Sequence, residues 1–420
     1  MKEWTTYKLK DICIKITDGS HFSPTAREDG YPMFSVKDME EYGFNYASCK
    51  RISLEDFNTL KANDCVPQKG DILVAKDGSF LKQIFVCNET KEEAILSSIA
   101  IFRPNPEYVL PEFLCYILKS PKVYNYISQN CVSGSALPRI VLKAFKEVEV
   151  SIPSIAIQKW IISKLIPIDQ KIQLNRQIND NLEQQAQALY KSWFVDFEPF
   201  KDGHFVESEL GPIPEGWSTR KVGELPLYIS DYVSNGSFAS LKENVTLYET
   251  PNYAQFIRNT DLKSSQFSVW VDQASYNFLA KSKLDGGEII ISNVGDVGSV
   301  HLCPKLNIPM TLGNNVIMVK PTEIVYNYFI YMTYKWFYGK NLIKGITGGS
   351  AMPKFNKTDF KSLTLIIPDN QTLQSFDSIV SHIFEQIINL NSSNQYLSQT
   401  RDTLLPKLMS GELKINEIDC

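Results

Sequence analysis

The sequence repeats itself over about half its length, and this repeat constrains the fold more than any other feature. The string GSALPR at residues 134–139 recurs as GSAMPK at residues 349–354, an offset of 215. An Ile-Pro pair at residues 152–153 recurs at the same offset, at residues 367–368. Such a repeat predicts two copies of one structural unit.

The match continues upstream with a slightly larger offset. ITDGS at residues 16–20 faces VSNGS at residues 233–237, and KGDILVAKDG at residues 69–78 faces GGEIIISNVG at residues 286–295. Both pairs are 217 residues apart. A small insertion or deletion therefore separates these blocks from the later ones, and the repeat extends through most of each half.

Downstream of each Ile-Pro pair, apolar residues recur at the spacing of a long helix. Stepping alternately four and three residues from Ile161 to Trp193 meets eight apolar residues in ten, and the same positions plus 215 again meet eight in ten. This heptad spacing predicts a seam between two helices. We expect the seam to include Ile172, Asn179, Leu182, Leu189, Ile387, Asn394, Leu397 and Leu404. Two unrelated amphipathic helices are the alternative.

Two details refine the first of these helices. Pro167 is expected to kink it or restart it near its beginning, since proline lacks the amide proton that helical bonding needs. If residues 161–193 are helical throughout, they span roughly 50 Å at about 1.5 Å per residue. The sequence therefore predicts that this helix acts as a spacer.

The segments before each long helix are rich in predicted strands. Alternation and β-branched residues predict strands at 12–16, 71–75 and 148–152, and amphipathic spacing predicts short helices at 110–127 and 325–337. The fold class is therefore α+β, with two strand-rich globular units and two long helices. The predicted boundaries are 1–153 for the first unit, 154–195 for the first spacer helix, 196–215 for an acidic surface linker, 216–368 for the second unit, and 369–420 for the second spacer helix and tail.

Composition excludes several classes of protein. The chain has 420 residues, of which 43% are hydrophobic and 21% charged, as expected for two or three ordinary globular domains. Its eight cysteines form no CxxC pair, so reduced and mostly buried thiols are expected. No apolar run reaches membrane-spanning length, and the N-terminus lacks the regions of a signal peptide. We expect a cytoplasmic protein without a membrane partner.

The sequence carries none of the common catalytic or nucleotide-binding motifs. It lacks GxGxxG after a strand, GxxxxGK[ST], and the Asn-Pro-Pro-aromatic tetrad of amino-methyltransferases. The Pro368-Asp369 pair has no suitable carboxylate partner for a metal-nuclease site. We therefore predict a chain without catalytic residues, metal or cofactor of its own. The alternative is a DNA methyltransferase or nuclease whose motifs are not recognisable.

Positive charge is concentrated at matched places, although the net charge is −4. Residues 121–146 contain four lysine or arginine residues and no acid, and residues 326–357 contain five and no acid. Both blocks are also rich in tyrosine, asparagine and serine. This composition predicts contacts with the phosphates and bases of double-stranded DNA. A solvated basic face is the alternative for each block.

The candidate DNA-binding residues lie in these blocks, in the repeated strings and in the loop TDGSHFSP at residues 17–24. A loop at a strand end is where a scaffold usually carries recognition groups. The candidates in the first half are Thr17, Asp18, Gly19, Ser20, His21, Lys76, Lys82, Ser133, Ser135, Arg139 and Lys143. Those in the second half are Asn235, Ser237, Arg258, Asn259, Asn293, Asn314, Lys344, Ser350 and Lys354. Ordinary structural turns would need many of the same residues.

Three strings resemble one known protein family. SWFVDFEPF...ESELGPIPEGW at residues 192–217 and LLPKLMSGEL at residues 404–413 resemble the specificity subunit of type I restriction-modification systems. TDGSHFSP resembles one common class of its first target recognition domain. The resemblance covers nearly the whole chain. It implies that each globular unit is a target recognition domain for half of a bipartite DNA site, and that the long helices pair as an antiparallel coiled coil.

The resemblance also implies partners and cofactors. Two modification subunits, which bind S-adenosylmethionine and methylate adenine, and two restriction subunits, which use ATP and Mg²⁺, are expected to act with this chain. The two basic blocks share little outside GSA, which implies unlike half-sites separated according to helix length. A stand-alone DNA-binding regulator is a further alternative, and it would bind its site tightly without partners.

Overall fold

The computed structural model describes residues 4–78, 80–134, 138–336, 338–349 and 351–413. The chain forms two compact units, one of Met1–Gln177 with Leu390–Cys420 and one of Ile178–Asn389. Each long helix contributes residues to both units, so the division falls within the helices. The boundaries predicted above, which follow the helix ends, stay predictions.

In the first half of the chain, short strands and helices precede one long helix. The strands are β1 (Trp4–Lys8), β2 (Cys13–Asp18), β3 (Tyr31–Phe34), β4 (Met39–Glu40), β5 (Gly43–Phe44), β6 (Lys50–Ile52), β7 (Ile72–Ala75), β8 (Ile84–Val86), β9 (Ala94–Ile95), β10 (Ile99–Pro104), β11 (Val132–Ser133), β12 (Arg139–Ile140) and β13 (Glu149–Pro153). The helices are α1 (Leu9–Ile12), α2 (Leu54–Ala62), α3 (Pro111–Lys119), α4 (Pro121–Asn130), α5 (Leu142–Lys146) and α6 (Ile155–Phe194).

The second half follows the same plan. The strands are β14 (Phe205–Val206), β15 (Ile213–Pro214), β16 (Ser218–Lys221), β17 (Leu227–Asp231), β18 (Leu247–Tyr248), β19 (Ala254–Ile257), β20 (Trp270–Val271), β21 (Lys283–Leu284), β22 (Ile289–Ser292), β23 (Val300–Leu302), β24 (Met310–Leu312), β25 (Val316–Pro321) and β26 (Thr364–Ile367). The helices are α7 (Phe238–Asn244), α8 (Asn259–Ser264), α9 (Gln273–Phe278), α10 (Tyr326–Lys335), α11 (Tyr338–Ile346), α12 (Lys357–Ser362) and α13 (Asn370–Met409).

Each unit is built on a four-stranded antiparallel sheet of the same topology. The strand order is β2-β10-β7-β8 in the first unit and β17-β25-β22-β23 in the second. The central pairs keep one register: Ile99 pairs with Ala75, and Val316 pairs with Ser292, with every number shifted by 217. The α+β class and the internal repeat are therefore confirmed as features of the structure.

A second ladder closes each globular part just before its long helix. Strand β1 pairs with β13, and β16 pairs with β26. The repeated Ile-Pro pair lies at this place, since Ile152 and Ile367 are buried residues of the closing strands. Helix α6 begins two residues after β13, and α13 begins three residues after β26. The ladder thus fixes the point at which each long helix starts.

Three local predictions need correction. The strand predicted at 12–16 begins at Cys13, because the four preceding residues form the helical turn α1. The helix predicted at 110–127 is two helices, and Pro121 begins the second, where its missing amide proton needs no partner. Of the two outcomes expected at Pro167, a kink or a restart, the structure excludes the restart, because α6 is continuous from Ile155 to Phe194.

In the first unit, the beginning of α6 packs against the end of α13. Asn175 Nδ2 donates to Asn394 Oδ1 at 2.8 Å, and Arg401 Nη1 donates to Asp169 Oδ1 at 2.8 Å. Residue numbers rise along one helix as they fall along the other, so the helices run antiparallel, as the resemblance implied. A buried amide pair of this kind fixes the register, since a shifted register would leave both amides without their partner.

A charged cluster ties this helix pair to the globular part of the first unit. Besides Arg401, Asp169 accepts hydrogen bonds from Tyr42 Oη at 3.1 Å and from Tyr116 Oη at 2.5 Å. Burial raises the pKa of both tyrosines, and the carboxylate raises it further, so the hydroxyls remain protonated donors. Tyr42, Tyr116 and Arg401 therefore all donate hydrogen bonds to the Asp169 carboxylate in this contact.

In the second unit, aromatic side chains join the helices to the globular part. Phe194 of α6 lies edge-on to Phe376 of α13 and to Phe329 of α10, with ring centroids 4.7 and 5.1 Å apart. Tyr190 shares a buried hydrogen bond of 2.8 Å with Thr333. Edge-on rings add attraction to the apolar area that they bury.

The acidic linker packs against this aromatic cluster. Strands β14 and β15 form a hairpin within it, and Phe197 and Phe200 lie 5.5 and 5.0 Å from Trp217, measured between ring centroids. Trp217 in turn contacts Phe194 at 5.8 Å. The linker is therefore held by its aromatic residues, which the count of acidic and turn-forming residues did not indicate.

The structure describes all eight predicted seam residues, and none of them is exposed; the pairing of these side chains across the two helices stays a prediction. Ile172, Asn179, Leu182 and Ile387 are buried, and Leu189, Asn394, Leu397 and Leu404 are half-buried.

The cysteines also agree with the prediction. The seven in the described part of the chain are free thiols, five of them buried, and Cys420 lies outside that part. Among the described helices, none is long and apolar enough to cross a membrane.

Phe194→Ala is expected to lower the free energy of unfolding of the second unit by about 3–5 kcal/mol, because it empties a space lined by aromatic rings. Urea unfolding followed by tryptophan fluorescence measures this, since Trp193 and Trp217 both contact Phe194. Tyr396→Ala is the control, because Tyr396 is 70% exposed and its loss should cost less than about 0.5 kcal/mol. Equal unfolding midpoints for the two variants would contradict the clamping role of Phe194.

Candidate nucleic-acid interface

The end of the repeated string GSALPR, Pro138-Arg139, lies beside the end of the central strand β7. Ile140 N donates to Lys76 O at 3.0 Å, and Gly78 N donates to Pro138 O at 2.8 Å. Gly78 has a φ of 66°, a left-handed conformation that glycine adopts without steric cost. We call residues 76–78 and 138–140 together the first paired loop.

The same bonds recur in the second unit. Phe355 N donates to Asn293 O at 3.1 Å, and Gly295 N, at a φ of 76°, donates to Pro353 O at 2.9 Å. Residues 293–295 and 353–355 therefore form the second paired loop. In each unit, backbone hydrogen bonds therefore join the end of one repeated string to the residues at the end of the other.

The two paired loops differ in charge. Arg139 is 57% exposed, and its Nε lies 3.3 Å from Asp77 Oδ1. In the second loop the position of Asp77 is taken by Val294, and Lys354 is exposed beside it. The first loop therefore presents a basic group already paired with an acid, and the second presents lysine beside a neutral residue.

A nearly buried lysine stands at the first paired loop. Lys76 is 6% exposed, and its Nζ binds Asp18 Oδ2 at the end of β2. His21 Nε2 lies 3.5 Å from the other oxygen of Asp18 and is largely exposed. The pair places one cation and one anion at the strand ends, with His21 towards solvent.

The second unit has the same aspartate with a lysine from another segment. Asp18 pairs with Ala100, and the residue 217 later, Ile317, pairs with Asp231. The predicted match of ITDGS with VSNGS, which would align Asp18 with Asn235, is therefore wrong by four residues. Asp231 binds Lys357 Nζ at 3.2 Å, whereas in the first unit the lysine comes from the end of β7.

Several candidates in the loop at residues 17–24 have partners within the fold. Ser20 N donates to Ile95 O at 2.9 Å, and a Cβ on Gly19 would lie 2.3 Å from that same carbonyl oxygen. Both residues are buried, and Thr17 is half-buried on β2. Their positions thus serve the loop's conformation, and His21 is the exposed candidate of this loop.

The remaining candidates in the first half are either exposed or outside the described residues. Lys82, Ser133 and Lys143 are exposed, and Ser135 lies outside the described residues.

Most second-half candidates also have intramolecular partners. Ser237 caps α7 by accepting from Ser240 N at 3.3 Å. Arg258 forms a two-pronged pair with Asp261. Three asparagines also have partners: Asn235 binds Ser282, Asn259 binds Asp296, and Asn293 binds the carbonyl of Phe355. Asn314, Lys344 and Lys354 are exposed, and Ser350 lies outside the described residues.

Lys340, which is outside the candidate set, joins the candidate Lys344 in a basic surface on α11. Lys340 and Lys344 lie one turn apart and line a cavity of about 370 Å³ with Trp336, Asn341 and Gln187. The (i, i+4) spacing of the two lysines within the basic block could have revealed this surface.

Lys335, by contrast, is not part of that surface. Burial lowers its pKa, and its Nζ donates to Val300 O at 3.1 Å. The basic block therefore supplies surface cations mainly through α11 and the second paired loop.

Comparison with protein families identifies this architecture. The model for the type I restriction modification DNA specificity domain matches residues 1–184 and 214–399. Each matched segment contains one paired loop. The chain belongs to this family.

Curated relatives of this specificity domain match over nearly the whole chain. The MjaIX type I restriction enzyme specificity subunit of Methanocaldococcus jannaschii is 27% identical, covering 99% of this chain and 95% of the relative. The HindI type I restriction enzyme specificity subunit of Haemophilus influenzae is 25% identical, covering 98% and 100%. A crystal structure of the type I restriction-modification S subunit from M. genitalium shares the fold, with a TM-score of 0.54, 16% identity and 96% coverage of both chains.

Family membership establishes the class of function. This chain is a specificity subunit whose role is DNA target recognition, and such subunits are the non-catalytic components of type I restriction systems. The alternatives of a methyltransferase, a nuclease or a stand-alone regulator are not favoured.

Lys76→Met is expected to lower the free energy of unfolding by about 3 kcal/mol, because it leaves the Asp18 carboxylate largely desolvated and without its cation. Asp18→Asn should be similarly harmful alone. The double variant should lose less than the sum of the two by at least about 1 kcal/mol, since the residues are direct partners. Chemical denaturation of all three variants measures this coupling. Strictly additive losses would show that the pair does not stabilise the loop.

Proposed function

We propose that each paired loop, with the exposed side chains around it, reads one half of a bipartite double-stranded DNA target. The observation that carries this proposal is the recurrence of the same two backbone bonds and the same strand-end aspartate in both units. Outside this frame the side chains differ. Two readers of one architecture but unlike surface chemistry fit two unlike half-sites.

The exposed groups at the loops suit the two tasks of DNA recognition. Arg139 and Lys354 can neutralise phosphates, and an arginine fork can also bind guanine in the major groove. His21, Ser133 and Asn314 offer donors and acceptors for base edges. We therefore assign positioning mainly to the cations and base reading mainly to the neighbouring polar groups.

The second unit is proposed to hold the DNA backbone more strongly than the first. Helix α11 exposes two lysines, Lys340 and Lys344, whereas helix α4, which likewise precedes the repeated Gly-Ser-Ala string, exposes one, Lys122, beside Tyr124 and Tyr126. Lysines add counterion release to binding, and tyrosines do not. The neutral tyrosines suit hydrogen bonding or stacking instead.

We further propose that the long helices carry the partner subunits. Two modification subunits would supply S-adenosylmethionine and methyl transfer, and two restriction subunits would supply ATP and Mg²⁺ chemistry, with no cofactor in this chain. Helices of 40 residues, about 60 Å long at about 1.5 Å per residue, offer surface for docking. The assembly is proposed to act in the cytoplasm.

Arg139→Gln and Lys354→Gln are each expected to weaken DNA binding by the complex with the modification subunit. If each cation neutralises one phosphate, each substitution should reduce the slope of log K against log salt by about 0.9. Fluorescence anisotropy over a range of salt concentrations on one DNA duplex measures the slope. Lys61→Gln is the matched control, because Lys61 is an exposed lysine on α2 outside the paired loops.

Lys340→Gln combined with Lys344→Gln should make the negative slope of log K against log salt shallower by about 1.8 if both lysines contact phosphate. Tyr124→Gln combined with Tyr126→Gln should leave it unchanged. A control variant that reduces the slope as much as the loop variants would show that the effect is one of overall charge. Unchanged slopes for all loop and α11 variants would remove these residues from the DNA interface and contradict the proposed function of the loops.

A further inference from the structure

Two phenylalanines of this chain are exposed to an unusual degree. Phe22 is 66% exposed and Phe238 is 81% exposed, the highest values among the phenylalanines that the structure describes. A single exposed apolar residue is ordinary on a protein surface, so the position of these two rings is more informative than their exposure alone. Each follows the strand-end aspartate of its unit, Phe22 by four residues and Phe238 by seven.

The backbone of Phe22 is held in place. Ser20 Oγ accepts from Phe22 N at 3.1 Å and donates to Phe22 O at 2.7 Å. Ser20 itself is bonded to Ile95 at the sheet edge. The loop therefore presents the ring of Phe22 from a fixed backbone, next to His21 and close in sequence to the Asp18–Lys76 pair.

The backbone of Phe238 is fixed by different means. Phe238 is the first residue of α7, which Ser237 caps and which Leu241, 2% exposed, anchors in an apolar core. The turn before it is held by Asn235, which accepts from Lys281 N at 2.8 Å. Both units thus hold an exposed phenyl ring on a rigid support that follows the strand-end aspartate, although the local structures differ.

We propose that Phe22 and Phe238 are wedges, which insert partly between neighbouring base pairs, one ring in each half of the DNA target. This inference rests on the proposed function and adds a reading mode that needs no hydrogen bond. Inserted apolar side chains unstack a base step and kink the duplex, and burial of the ring offsets part of that cost. Pyrimidine–purine steps unstack most easily, so the wedges select deformable steps.

The surroundings of the two rings favour DNA over an apolar protein surface as the occupant. Phe22 follows Asp18, which binds Lys76 of the first paired loop, and Phe238 follows Asp231 and Ser234, which bind Lys357 just after the second paired loop. Lys76 is buried and Lys357 half-buried in these pairs, so the exposed cations of the two loops are Arg139 and Lys354. Exposed cations in the same loop region as an exposed ring suit a duplex, whose phosphates lie on either side of the stacked bases.

The test uses the complex with the modification subunit on its methylation target, with 2-aminopurine placed in turn at each position of both half-sites. A wedge should raise fluorescence at one step in each half-site. Phe22→Ala should abolish the signal in one half-site only, and Phe238→Ala the signal in the other only. Each should weaken binding about tenfold, with the salt slope unchanged. Phe22→Trp should retain the signal.

Two controls separate the wedge from other events. A signal from an adenine extruded for methylation persists in the phenylalanine variants, so it is not confused with the wedge signal. Tyr396→Ala, which removes an exposed ring from α13, should change neither signal nor affinity.

Two outcomes would overturn the inference: wedge-type signals that persist in Phe22→Ala and Phe238→Ala, or loss of the modification subunit from the complex in those variants. Because the salt slope tests the loops separately, the wedge can fail while the proposed function stands.

Discussion

The proposed DNA-reading surface depends on a short clasp of backbone hydrogen bonds. In each unit, the residue after the central strand and a left-handed glycine two positions later bind the segment that follows the Gly-Ser-Ala string. A side chain at Gly78 or Gly295 would impose strain, since non-glycine residues rarely adopt such φ values. The clasp brings together residues about 60 positions apart and so creates a surface that neither segment has alone.

Because the clasp uses main-chain atoms, its side chains are free to differ. Asp77 and Val294 occupy equivalent places, as do Arg139 and Lys354, while the bonds around them are unchanged. The partners of the strand-end aspartates also differ between the units. Asp18 pairs with Lys76, which follows β7, whereas Asp231 pairs with Lys357 from another segment of the chain. A frame that tolerates such changes can carry different recognition chemistry without a new fold.

The sequence predicted what periodicity and repetition encode. The repeat and the two long helices correspond to structure, because each depends on spacing along the chain. The equivalence of Asp18 and Asp231 was missed, since the matching strings ITDGS and VSNGS lie four residues from the true register and only strand pairing reveals it. The aromatic packing of the linker was missed as well, because contacts between distant rings leave no local pattern.

We propose that the two units read DNA separately on a common frame. The decisive experiment is to co-express this chain with a modification subunit in a host without DNA methylation and to map modified adenines by single-molecule sequencing. We expect a motif of two short, unlike half-sites around a fixed gap, with methylation absent when this chain is omitted. A continuous motif, or methylation that persists without the chain, would show that the two units do not read DNA separately.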